Sequence, residues 1–256
     1  MSRFGNLEVN LPNDENTSAS AVTKDEAYYL GEAVKDFEKG EFESALRNYG
    51  KVIEYNPKNA QGWVGQVQML IELDDLDGAA NWANHSLSSF ASDAQLLSLK
   101  AVIVARTGRD IAGALSLSDA AMALAPGNSL VWLARADVML NNNPSAASFC
   151  VSRALEGSPD DWKLRWLAGR IFCYYKRFSQ ALSFVQEALA LNPSNAILWA
   201  QAGFLQGKLG LMERARSSVA QALQISPACG LAIETRDTLA DPGLLDRMFL
   251  FFKRTK

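Results

Sequence analysis

Small and apolar residues recur along this chain at intervals of 33 to 35 residues. Within each interval, apolar positions at helical spacing form two stretches joined by a short turn, which predicts a pair of antiparallel helices. In the first interval we predict helices at 25–38 and 42–55. Pro57 then separates this unit from the next, because proline cannot continue a helix. The alanines near the start of each second helix are Ala45, Ala79, Ala114, Ala147, Ala181 and Ala215.

Two further registers run in phase with these alanines. Small residues such as Ala33, Gly169 and Gly203 lie upstream in the first helix of a unit, where they allow the two helices to cross closely. Three registers in phase identify a tandem repeat, in which each unit packs on its neighbours and the core is a continuous ribbon. The prolines of the downstream register are Pro57, Pro126, Pro159, Pro193 and Pro227.

The repeat resembles the tetratricopeptide repeat family over roughly residues 26–228, which hold six units. Trp63, Trp132 and Trp199 match the tryptophan that opens the family pattern, and the alanine-to-aromatic step is complete in Ala45 and Tyr49. The resemblance implies an all-α fold, a right-handed superhelical α-solenoid of antiparallel helix pairs. It also implies that the first helices of the units line a concave groove.

The chain is predicted to have four parts. Residues 1–23 are polar and form a flexible leader, and 24–228 form the six helix pairs. Residues 229–240 form a capping helix, because the last unit of an array needs a cover. Residues 241–256 form a short helix with apolar and basic residues.

Composition narrows the classes of function. The net charge of −3 argues against a general nucleic-acid binder, which has a basic excess. The N-terminus carries no apolar run of signal-peptide length, and no stretch approaches a membrane span. Cys150, Cys173 and Cys229 lie far apart and show no zinc or redox spacing. We therefore expect a cytoplasmic protein with reduced thiols.

No catalytic motif is present, so we expect a protein that is not an enzyme and that has no cofactor and no metal site. His85 is the one histidine, and a packing or surface position is the simplest interpretation. The acidic pairs 74–75 and 160–161 fall at turns or helix starts, where they complement the helix dipole.

The resemblance implies that a partner protein would insert an extended or helical segment into the groove. Mapped onto this sequence, the groove-facing positions hold a mixture of polar, charged and aromatic residues. Those we expect to bind a partner are Gln68, Arg106, Asp137, Lys163, Trp166, Arg170, Tyr174, Phe204 and Lys208.

The fifth unit has the strongest concentration of aromatic and basic residues. Trp166, Arg170 and Tyr174 are spaced four residues apart and share one helix face. One interpretation is that this face packs on the neighbouring units. The other is a partner site, since Trp, Tyr and Arg dominate interface hot spots, and Lys163 and Lys208 would favour an acidic ligand. On the second interpretation, truncating Trp166 abolishes partner capture with little change in melting temperature.

The end of the chain offers a competing site. An apolar run is followed by basic residues, which fits a cap on the sixth unit, a self-association contact or a foot on a membrane surface. The residues concerned are Met248, Phe249, Phe251, Phe252, Lys253 and Arg254.

The function that the sequence favours is a non-catalytic scaffold or adaptor that holds a partner peptide or helix in the groove. The alternative is an assembly protein, or a secretion or pilus-type chaperone, that self-associates or docks at a membrane through residues 244–256. The Lys and Asn clamp for chaperone tails, known in similar proteins, is absent at the matching positions, which hold Leu30 and Val34 in the first unit.

Overall fold

The computed structural model describes residues 24–140 and 142–240, and in this part of the chain all regular structure is α-helical. Within it, the helices form six antiparallel pairs, from α1/α2 to α11/α12, and α13 covers the last pair. The all-α solenoid expected from the sequence is confirmed. The helices are α1 (Glu26–Lys39), α2 (Phe42–Tyr55), α3 (Ala60–Glu72), α4 (Leu76–Ser89), α5 (Ala94–Thr107), α6 (Ile111–Leu124), α7 (Ser129–Leu140), α8 (Pro144–Glu156), α9 (Trp162–Tyr174), α10 (Phe178–Leu191), α11 (Ala196–Lys208), α12 (Met212–Ile225) and α13 (Gly230–Ala240).

Aspartate and asparagine begin many of these helices. Their side chains accept a hydrogen bond from a backbone N–H of the first turn, which otherwise has no partner. Asp75 accepts from the N–H of Gly78 at 2.9 Å, and Asp161 accepts from that of Lys163 at 2.8 Å. The second members of the two acidic pairs therefore act at helix starts, as predicted.

The turn inside each pair uses a left-handed backbone in five of the six units. Gly40, Gly108 and Gly210 have positive φ angles there, and so do Asp74 and Lys176. In the fourth unit, Asn143 has an extended backbone with φ −144° and caps α8 with its side chain.

The alanine register lies at the tightest contacts of the array. All six alanines have no exposed surface. At Gly169, in the upstream register, an added Cβ would lie 3.2 Å from the backbone oxygen of Ala181 on the partner helix. Small side chains are needed here because the two helices of a pair cross at close distance.

A recurring hydrogen bond connects the tryptophan register to the proline register. The indole N–H of Trp63 donates to the carbonyl of Pro57, and those of Trp132 and Trp199 donate to the carbonyls of Pro126 and Pro193, each at 2.8 Å. An indole N–H that is removed from water needs a hydrogen-bond acceptor. The carbonyl six residues earlier supplies it, so each of these tryptophans also fixes the turn that precedes its unit.

The curvature of the stack brings its first unit back to its fifth and sixth. Helix α1 contacts α11, although the two are far apart in sequence. Phe37, near the end of α1, packs against apolar clusters that belong to the first, fifth and sixth units. This long-range contact positions the candidate site.

Candidate functional site

The aromatic and basic residues of the fifth unit face the first unit. Residues 37–42, which form the turn between α1 and α2 and the helix ends beside it, pack directly against the residues of the fifth unit. We call residues 37–42 the corner, and the contact of the corner with α9 and α11 the closure. Lys163, Trp166 and Arg170 all contact residues of the corner. The face that the sequence predicted for a partner is thus covered by the chain itself.

Aromatic packing forms the apolar part of the closure. The ring centroid of Trp166 lies 5.1 Å from that of Phe37 and 6.1 Å from that of Phe42. Trp166 has no exposed surface, and its indole N–H donates to Oε1 of Gln201. A side chain without exposed surface offers no contact to a partner in this arrangement. Trp166 therefore lies in the core of the closure and not on an open binding surface.

Polar contacts fix the orientation of the corner. Lys163 Nζ lies 3.1 Å from a carboxylate oxygen of Glu38, and the amide of Asn195 donates to the Glu38 carbonyl at 3.0 Å. Arg170 pairs with Glu72, and its guanidinium carbon lies 4.4 Å from the ring centroid of Phe42. The sequence indicated an acidic ligand for Lys163, and Glu38 supplies that acid within the same chain.

Gly40 is the tightest point of the closure. Its φ of 77° is left-handed, and an added Cβ would lie 2.5 Å from Cδ1 of Ile197 on α11. Gly108 occupies the same turn of the third unit with φ 68°, and no described residue comes within 4 Å of such a Cβ. Gly108→Ala therefore has only the cost of backbone strain, about 1–2 kcal/mol. We expect Gly40→Ala to lose about 1–3 kcal/mol more, because Ile197 or the corner must move.

Urea denaturation of the two glycine variants measures this difference, and small-angle scattering reports the shape. The closure predicts a larger radius of gyration for Gly40→Ala than for Gly108→Ala. Equal losses of stability together with equal radii would show that the corner does not press on α11.

A buried ion pair lies further along the concave side. The guanidinium of Arg106 on α5 contacts the carboxylate of Asp137 on α7 at 2.6 Å, and the two side chains are 7% and 2% exposed. The Tyr175 hydroxyl donates to the same carboxylate at 3.0 Å. The Tyr174 ring covers the guanidinium, with its centroid 4.0 Å from the guanidinium carbon. The network thus joins the third, fourth and fifth units.

Burial governs the electrostatics of this network. Burial lowers the pKa of Arg106, but the Asp137 carboxylate outweighs it, so the pKa of Arg106 lies above its ordinary value. Burial, reinforced by the Asp137 charge, raises the pKa of the Tyr175 hydroxyl. Tyr175 therefore stays protonated and donates to Asp137. The sequence placed Tyr175 in the aromatic group of the fifth unit but gave no sign of this role.

The remaining predicted groove residues have separate surroundings. Gln68, Arg106 and Asp137 line an inner cavity of about 70 Å³, which has room for a few water molecules. Phe204 packs against the core, and Lys208 Nζ lies 5.5 Å from its ring centroid. These residues do not share one open surface with Lys163 and Arg170.

A larger cleft of about 860 Å³ lies beside the closure. It is bounded by the corner and α2, by the start of α11 and by the turn between α12 and α13, and we call it the closure cleft. Its volume is within the range of ligand sites, about 300–1,000 Å³. Residues of both apolar and charged character line it, among them Glu41, Arg47, Leu73, Ile225, Leu231 and Glu234.

Comparison with known proteins agrees with this architecture. Residues 36–103 match the model of the tetratricopeptide repeat family. A solved tetratricopeptide repeat protein from Parabacteroides merdae is similar at 14% identity, with a TM-score of 0.50, over 87% of this chain and 88% of that one. Residues 36–103 therefore carry tetratricopeptide repeats, and the similarity to the solved structure extends the same fold to the rest of the described chain. No curated protein matches it in sequence.

Two further solved structures are similar at 15% identity. One is the APC/C hetero-tetramer Cut9–Hcn1, with a TM-score of 0.49 over 84% of this chain and 43% of that one. The other is a thermophilic tetratricopeptide repeat protein of Thermus thermophilus, with a TM-score of 0.48 over 84% of this chain and 99% of that one. The chain therefore spans less than half of the Cut9–Hcn1 chain that it matches.

Tetratricopeptide repeats are typically non-catalytic scaffolds, and the three cysteines of this chain are buried or partly buried. Burial raises the pKa of the Cys173 thiol to about 11, and burial also raises those of Cys150 and Cys229. Their thiols are thus protonated near neutral pH and are poor nucleophiles. His85 is exposed, and its ring lies beside that of Trp63, with centroids 5.2 Å apart and an angle of 42° between the planes.

Two searches of the described residues were negative. Residues 24–140 and 142–240 hold no group of three or more side chains that could ligate a metal ion. None of the repeat helices in these ranges has the length and hydropathy that a membrane span requires. The apolar and basic residues of the last segment, from Met248 to Arg254, lie outside the described part of the chain.

Proposed function

We propose that this chain is a non-catalytic scaffold that binds a helical or extended segment of another protein in the closure cleft. The observation that carries the proposal is the space beside the closure. The inner cavity measures about 70 Å³ and the closure cleft about 860 Å³. Tetratricopeptide repeats generally bind proteins, and the closure cleft has room for side chains of a partner segment.

The residues predicted for the groove receive distinct roles in this proposal. Arg170 lines the cleft and would be accessible to a partner segment. Lys163 and Trp166 contact the corner, which forms one wall of the cleft, and hold it in place. Arg106 and Asp137 tie successive repeats together behind it. A rigid wall limits the entropy that is lost when a partner binds.

The lining of the cleft indicates the chemistry of the partner segment. Glu41, Glu43 and Glu234 are exposed at the cleft and outnumber the exposed Lys39 and Arg47, whereas nearby leucine and isoleucine side chains supply apolar surface. Charge complementarity steers association and selects partners. We therefore expect a segment with apolar anchors and basic residues, in contrast to the acidic ligand that the sequence indicated.

We also propose that the protein acts in the cytoplasm. Cys150, Cys173 and Cys229 are free thiols. Unpaired cysteines are typical of proteins in a reducing compartment.

A photo-crosslinking amino acid at Ile225 tests the scaffold function. Ile225 is 37% exposed and lines the cleft, and Phe149 on α8 is 60% exposed and does not line it. We expect the probe at position 225 to crosslink a partner protein in cells, and the partner peptide to be identified by mass spectrometry. The matched probe at position 149 should not crosslink that peptide. Capture of the same peptide from both positions, or of none from 225, would refute binding in the cleft.

A further inference from the structure

The chain itself contains a segment with the chemistry that the closure cleft fits. Residues 248–252 are Met-Phe-Leu-Phe-Phe, and Lys253, Arg254 and Lys256 follow. We propose that residues 248–256 bind in the closure cleft of the same chain and act as an internal competitor of the partner. The competition rests on the scaffold function proposed above, whereas occupation of the cleft by this segment does not.

Charge supports the pairing of the segment with the cleft. Glutamates outnumber basic residues among the cleft's lining. Glu38 and Glu72 are neutralised by Lys163 and Arg170, but Glu41, Glu43 and Glu234 are exposed at the cleft. Lys39 and Arg47 are exposed at the cleft too, and Lys39 lies 4.0 Å from Asp36. The three glutamates outnumber these two cations, so the basic residues at 253, 254 and 256 are complementary to the acidic excess.

Apolar surface supports the same pairing. Ile225 is 37% exposed at the end of α12, although it is a large hydrophobic residue. Leu73 and Leu231 line the cleft from two other sides and are partly exposed. Burying phenylalanine side chains against them would remove apolar surface of both from water, which is worth roughly 25 cal/mol per Å².

The length of the chain allows the segment to reach the cleft. The first residues of α13, including Leu231 and Glu234, line the cleft. Helix α13 has 11 residues, so its end at Ala240 lies about 15 Å from its start. Residues 241–247, which connect α13 to the apolar run, span up to about 23 Å when extended, and this exceeds that distance. They include Pro242-Gly243, residue types that favour a reversal of direction.

Attachment makes occupation effective even at low intrinsic affinity. A segment joined by a short linker meets its site at an effective concentration on the order of millimolar. A partner with similar residues then competes with the attached segment. The apparent affinity of the chain for the partner then falls in proportion to the fraction of chains in which the attached segment already occupies the cleft.

The test uses the purified full chain, with the photo-crosslinking residue at Ile225 and no other protein present. We expect a crosslink within one chain from position 225 to a residue between 248 and 256, mapped by mass spectrometry at low protein concentration. Crosslinks found only between two chains would assign the cleft to a second copy and overturn the proposal. Absence of any crosslink to residues 248–256 would overturn it as well.

Charge reversal provides the matched comparison. Glu41→Lys with Glu234→Lys should lower the crosslink yield about tenfold, because two attractive contacts become repulsive. Asp160→Lys, at an exposed position that does not line the cleft, should leave the yield unchanged. Adding Lys253→Glu and Arg254→Glu to the cleft double variant should restore the yield. Equal yields in all three variants would refute the proposed pairing.

The outcome is separable from that of the scaffold proposal. The crosslink within the isolated chain requires no partner, so its failure leaves partner binding at position 225 open to its own test in cells. Conversely, a filled cleft that never crosslinks another protein in cells would refute the scaffold proposal alone. With both proposals correct, the cleft double variant loses both crosslinks.

Discussion

Replacing Trp166 with alanine should destabilise the protein by about 3–5 kcal/mol, the usual cost of removing a fully buried aromatic side chain. The reason is its position, since Trp166 has no exposed surface and packs on Phe37, Phe42 and Trp162. A loss of this size is a large share of the stability of a typical domain. Urea denaturation followed by circular dichroism measures it, and scattering should show that the closure opens.

The contrast with an exposed aromatic residue isolates the role of burial. Phe149 is 60% exposed, so Phe149→Ala should lose about 1 kcal/mol or less. Trp166→Phe keeps an aromatic ring in the closure but removes the hydrogen bond to Gln201, and we expect an intermediate loss. A melting temperature unchanged in Trp166→Ala would contradict the closed arrangement and restore the open groove that the sequence favoured.

The repeat itself could be predicted from the sequence because its determinants are local. Ala45 and the alanines in the same register have no exposed surface, as close helix crossing requires. The turn at Gly40 and those at Gly108 and Gly210 have the left-handed backbone that glycine permits. Each of these features depends on residues within one unit or its neighbour, so its signal recurs with the period.

The closure could not be predicted in this way, because it joins residues far apart in the chain. Glu38 and Lys163 are 125 residues apart. Whether they meet depends on the small rotation that each unit adds to the superhelix, summed over four units. The sequence did indicate the residues, because aromatic and basic side chains are concentrated in α9. It could not indicate that Phe37, Glu38 and Phe42 would cover the face of α9 that carries these side chains.

The buried network illustrates the same limit for a single residue. The sequence placed Asp137 on the groove side as a polar residue for a partner. In the structure its carboxylate is occupied by Arg106 and Tyr175, one from each neighbouring unit. Tyr175 follows the end of α9 and lies outside the groove positions of the family pattern. Its contact with Asp137 therefore had no signal in any of the three registers.

The removal of Asp137 should have the second large effect. Asp137→Ala leaves the Arg106 guanidinium buried without a carboxylate, because the pair is 7% and 2% exposed. Breaking a buried pair by removing one partner costs about 3–5 kcal/mol, most of it from the charge left behind. The loss is measured by urea denaturation. Asp119→Ala is the matched control, since its pair with Arg135 is at the surface and 65% of the Asp119 side chain is exposed. It should lose about 0.2–1 kcal/mol.

A double variant distinguishes an orphaned charge from lost packing. Arg106→Met with Asp137→Leu removes both charges and keeps apolar volume, and such replacements are often neutral or stabilising. The Tyr175 hydroxyl retains an acceptor in the Asp137 backbone carbonyl, at 3.1 Å. We therefore expect the double variant to recover most of the stability that Asp137→Ala loses. If it is as unstable as Asp137→Ala, the network holds the third, fourth and fifth repeats together by its specific geometry. Recovery would instead show that the repeats stack without it, and that the cost in Asp137→Ala comes from the unpaired guanidinium.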